Sequence, residues 1–117
     1  MKRSVVMASI GIAVLGFSSA ILPVRADVPD PATIAAAKTP ADHEAIAKAY
    51  EEEATSLQKM SDMHKNLGDT YAQPGGKPWQ AAQAKHCKAV ASELAAAARN
   101  ERALALEHHK MAKGAGK

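Results

Sequence analysis

The sequence predicts an all-α protein: a long antiparallel two-helix hairpin behind a short helical segment, with two copies associating as a four-helix bundle. Three observations carry this. Alanine, the best helix former, dominates long stretches, while the part after residue 26 holds one Trp, two Tyr and no Phe. Apolar residues recur every seven positions, a coiled-coil period. A single cluster of breakers, QPGGKP at 73–78, divides two helical stretches of similar length.

The first residues predict export. MKRS is basic, VVMASIGIAVLGFSSAIL is apolar, and Val24 and Ala26 occupy the −3 and −1 positions of a signal-peptidase site before Asp27. The expected signal peptide is 1–26, and the compartment is the periplasm. The alternative is a retained membrane anchor, for which the apolar run is near the lower length limit. No cysteine follows the run, which argues against a lipoprotein. The chain left after cleavage has 91 residues, one small domain with no stable membrane association.

Cleavage removes Lys2, Arg3 and Arg25 and no acid. Twelve basic residues then balance twelve acidic ones, and the formal charge falls from +3 to 0. Nucleic-acid binding, which needs a basic face, is not expected.

Residues 27–38 form an N-terminal segment. Asp30 is a candidate N-cap with Pro31 at the first helical position. TPADHE repeats the device: Thr39 as N-cap, Pro40 at N1, Asp42 at N3 in a capping-box arrangement. The hairpin spans 39–113, with helices at about 40–72 and 79–113 and a loop at 73–78. Residues 114–117 are a tail. Each helix of about 33 residues is about 50 Å long.

On the first helix His43, Tyr50, Leu57, His64 and Tyr71 lie seven apart. Ile46, Met60 and Leu67 mark a second row, which Glu53 interrupts. EEE at 51–53 reads as a solvated face with Glu53 the exception. On the second helix Val90, Leu94, Ala97, Leu104, His108 and Met111 share a face, which His86 and Cys87 continue toward the loop. His109 falls off the stripe and is expected to be exposed. Two alanine-rich helices bury little surface against the entropy of ordering them, so a second copy or a partner is expected to cover them.

Folding the hairpin about Gly75 and Gly76 sets residues opposite each other whose numbers sum to about 151, to within a helical turn. Two histidine levels result. Near the loop, Met60, Met63, His64, His86 and Cys87 come together. Near the termini, His43 faces His108, with Met111 three residues further on. Imidazole, thioether and thiolate together suit Cu(I), and imidazoles accept Cu(II) or Zn(II) as well. The bland readings are that Met60 and Met111 fill the seam, that Cys87 is a small buried hydrophobe, and that the histidines are satisfied seam residues.

Sharper sites are absent from the sequence. CxxCH, ExxH and HExxH do not occur, and GGKP lacks phosphate-loop spacing. His86 and Cys87 are adjacent on a helix and point about 100° apart, so they form no nucleophile–base dyad. An enzyme is not expected.

The stretches TPADHEAIAKAYEEEA, HC and ERALALEHHKMA, with the Gly/Pro loop between, resemble a group of small, Ala-rich exported helical-hairpin proteins of proteobacteria. The resemblance covers most of the chain after residue 26 and implies the hairpin. A looser similarity joins the chain to periplasmic helical-hairpin metal sensors and chaperones that act as dimers; their characteristic repeat motifs are missing here. The function expected is therefore an exported, non-enzymatic, homodimeric binding protein for a soft or borderline transition metal, copper favoured. A metal-free structural or adaptor hairpin is the alternative, and noncovalent bis-His haem binding a third.

Overall fold

The computed structural model describes residues 28–114. The expected signal peptide and residues 115–117 lie outside them. The described chain is all-α, in the order α1 Pro31–Ala36, α2 Pro40–Tyr71 and α3 Pro78–Ala112. α2 and α3 pack against each other as an antiparallel hairpin. Among the described residues no helix is long and apolar enough to cross a membrane.

Each helix starts where its end groups can be satisfied. The Asp30 carboxylate accepts from the Thr33 N–H at 2.9 Å and from its hydroxyl at 3.0 Å. At α2 the Thr39 hydroxyl accepts from the Asp42 N–H at 3.1 Å. The Asp42 carboxylate accepts in return from the N–H groups of Lys38 and Thr39, both at 2.9 Å. These donors satisfy the orphan end of the helix and hold the Asp42 carboxyl below the usual carboxylate range. Pro78 opens α3 at the first helical position, so the helix begins one residue before Trp79. The turn between the helices depends on Gly75, whose φ of 79° favours glycine.

The seam is built from small side chains. On α2 the row Ala47, Ala54, Ser61 and Gly68 is buried, and on α3 the row Ala84, Ala91, Ala98 and Ala105 is buried. Both rows repeat every seven residues and run in opposite directions, so the helices lie side by side in one register. The Ser61 hydroxyl fixes that register by donating to the Ala91 carbonyl at 2.6 Å. The approach is close. A β-carbon on Gly68 would lie 2.9 Å from Lys88 Cγ and 3.3 Å from the Ala84 carbonyl oxygen.

This corrects the expected stripe on α3. Hydropathy puts Val90, Leu104 and Met111 on the packed face; the structure leaves them 37%, 43% and 41% exposed. The buried row lies one residue later, on alanines. Helices approach more closely through Cβ atoms than through larger side chains, and the backbones then pack on each other. α2 keeps Tyr50 and Leu57 from the expected row and adds the small row beside it. Leu67 stays 40% exposed.

At the open end Ile46, Ala47, Tyr50 and Ala105 form an apolar cluster, and Ile34 and Ala37 of the α1 segment pack onto it. Elsewhere the hairpin is thin, and no large side chain among the described residues is fully enclosed.

One side of the hairpin is polar. His109, expected to be exposed, is half-buried and bridges the helices there. Its Nδ1–H donates to Glu44 at 3.0 Å and its Nε2–H to Glu51 at 2.8 Å. These two bonds, that to Glu51 foremost, hold its imidazolium above the usual histidine range. Lys88 lies 3.4 Å from Asp69 across the same side.

Candidate metal centre

The open end gathers one histidine from each long helix. His43 lies in the first turn of α2, and His108 lies one turn before the end of α3. Their numbers sum to the expected 151, and Nδ1 of one ring lies 3.1 Å from Nδ1 of the other. The ring centroids are 5.3 Å apart, and Tyr50 sits 5.8 Å from His108. His108 is buried, at 7% exposure.

A 3.1 Å contact between two ring nitrogens needs a hydrogen on one and a lone pair on the other. At least one imidazole is therefore neutral. Burial, and then the neighbouring His43, push His108 below the usual histidine range, because a charged ring there loses hydration and meets a like charge. A neutral imidazole is the metal-binding form. Two metal–nitrogen bonds of about 2.0–2.1 Å across a 3.1 Å gap would subtend roughly 100°. That angle suits adjacent ligands of a tetrahedral or square-planar ion.

Met111 is exposed and lines an open hollow together with His43, Thr39 and Pro40. Its thioether is a soft donor type. Lys38 and Lys113 rim the same hollow. Their charge disfavours a divalent ion more than a monovalent one, since Coulomb repulsion scales with the ion's charge.

The expected loop-end group is unevenly exposed. His86 is exposed and Met63 is 52% exposed. His64, Met60 and Cys87 are half-buried. The cause is the helical angle. Cys87 turns toward α2, where its Cβ lies 3.5 Å from the position of a Gly68 β-carbon, and its neighbour His86 then points outward. Among the described residues no group of three or more His, Cys, Asp or Glu side chains stands where it could hold a metal ion. That finding takes His64, His86 and Cys87 apart as a set. At the open end two histidines, His43 and His108, stand together.

Two carboxylates of the seam are only partly legible in the sequence. Glu53 is 7% exposed, as its place on the heptad suggests. Its counterpart Glu101 falls outside the predicted stripe. Each carboxylate keeps one buried oxygen with no partner, as does His64 through Nδ1. Burial, followed by repulsion from Glu53, raises the Glu101 carboxyl above its usual range. The signal available in the sequence is the spacing of Glu101, seven residues before His108.

No protein-family model matches the chain, and no curated protein or solved structure matches it either.

Proposed function

We propose that the hairpin is an exported, non-enzymatic binding protein for a soft or borderline transition metal, copper favoured over zinc, with its centre at His43 and His108 and Met111 as third donor. The observation that carries this reading is the 3.1 Å separation of the two ring nitrogens at the end of a buried seam. The donors come from distant parts of the chain and meet only in the folded hairpin. Two imidazoles and a thioether match Cu(I), and the lysine rim favours the lower charge. Trans ligation of a haem iron would need the two nitrogens about 4 Å apart, at roughly 2 Å from the metal each; the pair as it stands suits cis ligation.

A second reading, a structural or adaptor hairpin, is favoured by a different observation: the row of exposed apolar side chains on α3. Titration with Cu(I) against a competing chelator separates the two. The chain from Asp27 is expected to bind more tightly than about micromolar, equivalent to roughly 8 kcal/mol. A His43→Ala, His108→Ala variant loses that affinity, while His64→Ala, His86→Ala keeps it. Equal binding by the first variant and the parent, or no binding tighter than micromolar, removes the metal reading and leaves the adaptor.

A further inference from the structure

We infer that one face of the hairpin, the side opposite the His109 bridge, is the docking surface for a second copy of this chain. This face shares Met111 with the proposed metal centre, and Leu67, Val90 and Leu104 belong to it alone. It starts from the direction of the small rows. On α2 the residues one position before that row are Ile46, Glu53, Met60 and Leu67. On α3 the equivalent residues are Gln83, Val90, Ala97, Leu104 and Met111. In an antiparallel pair, positions with the same offset from the facing rows lie on the same side of the pair. The exposed apolar side chains Leu67, Val90, Leu104 and Met111 therefore collect on one face. The residues four positions after the small rows include Glu51, Lys88 and His109, and they carry the cross-helix polar contacts of the other face.

Three observations select a second copy as the occupant. The first is area. Two helices about 50 Å long, packed about 9 Å apart, present a face on the order of 900 Å². The α1 segment takes up its corner around Ile46, which leaves roughly three quarters of it. A stable interface takes about 600–1,000 Å² from each partner. The second is the missing core. No large side chain among the described residues is fully enclosed, and a second hairpin would supply the other half of one. The third is the period. On α3 the exposed apolar residues Val90, Leu104 and Met111 fall at multiples of seven residues, so what covers them is helical and runs alongside at a shallow angle. A second hairpin has that form and that length, and an isologous contact lets the same face serve both copies.

Sedimentation equilibrium on the full chain and, in parallel, on the chain from Asp27 tests this. Both are expected to be dimers at micromolar concentration. Leu104→Glu and Val90→Glu, each on this face, should weaken association at least about 30-fold. Leu106→Glu lies with Arg102 and His109 on the polar side and should leave it unchanged. Circular dichroism checks that each variant stays helical; a charge at Leu104 or Val90 is tolerated in the hairpin itself because both positions are exposed. A monomer at every concentration overturns the inference, as does equal weakening by Leu106→Glu. Association of the full chain alone, surviving Leu104→Glu, would assign the contact to the N-terminal segment and overturn it as well.

Discussion

Replacing Ala54 by Leu tests the close approach of the helices. Ala54 is 0% exposed, and Ala98, also 0% exposed, lies in the facing small row. The new side chain adds three carbons at a point where the helices are already in contact. Further along the seam, at Gly68, even a single added carbon would stand 3.3 Å from a carbonyl oxygen. Overpacking a well-filled site costs about 1–3 kcal/mol. Here the upper end applies, because separating the two helices at Ala54 also loosens the neighbouring seam pairs, Ala47 with Ala105 and Ser61 with Ala91. The expected loss is about 3 kcal/mol. For a domain of this size that is a fall in Tm of roughly 12–24 °C. Urea and thermal unfolding at fixed protein concentration, followed by helical circular dichroism, measure it. Ala103→Leu, on an exposed position of α3, is the control and should stay within about 0.5 kcal/mol of the parent. If Ala54→Leu also stays within that range, the helices are not in contact through alanine and the seam described above is wrong.

Ser61→Ala removes the 2.6 Å bond to the Ala91 carbonyl and should cost about 0.5–1.5 kcal/mol by urea unfolding; no loss would mean that the bond does not set the register. Glu101→Gln should stabilise the hairpin at pH 7 by up to about 1 kcal/mol, because it removes a charge disfavoured by partial burial and by the neighbouring Glu53. Glu101 has a raised carboxyl in the fold, so this gain should vanish once the parent's carboxyl is protonated, below its ordinary value of 4.5; a gain that persists at low pH would refute the cause. The two neighbouring histidines should act oppositely. His108 is lowered in the fold, so its stabilising contribution is present above its ordinary value of 6.5 and is lost as pH falls below it. His109 is raised, so its contribution is complete below 6.5 and is lost as pH rises through its folded value. Thermal melts should therefore show His108→Asn losing less stability than the parent between about pH 7 and about pH 5.5, and His109→Asn costing more at about pH 6 than at about pH 8; parallel curves would refute both assignments.

The hairpin is legible in the sequence because its punctuation is local. Asp30, Thr39 and Asp42 each bond a backbone within three or four residues, so the cap chemistry can be read without knowing the partner helix. The same holds for the turn at Gly75. The fold register of about 151 follows from the loop alone, and it brings His43 to His108. Which row faces the partner is less legible. Leu104 and Val90 are more hydrophobic than Ala98 and Ala91, so hydropathy points to the wrong row by one residue. What decides is how near the backbones come, and that depends on both helices at once. The clue in the sequence is a small residue every seven positions on both stretches, 47, 54, 61 and 68 against 84, 91, 98 and 105.

The exposures at the loop end follow from the same rotation. Met60, Met63, His64, His86 and Cys87 come to similar levels when the chain is folded, but a one-row rotation turns His86 outward and exposes Met63. His43 and His108 come together as the fold register predicts, because they lie near the helix ends, directly across the seam. His109 shows the limit of reading one helix at a time. It lies off the apolar stripe, yet Glu44 and Glu51 on the other helix reach both of its ring nitrogens.

The central claim is that His43 and His108 hold a metal. Its most direct test is elemental analysis of untagged protein purified from the periplasm of an exporting cell, beside the His43→Ala, His108→Ala variant handled identically. Copper should be bound to the parent and lost from the variant, with the helical content of both the same. Parent protein free of transition metal, or a variant carrying as much copper as the parent, would contradict it.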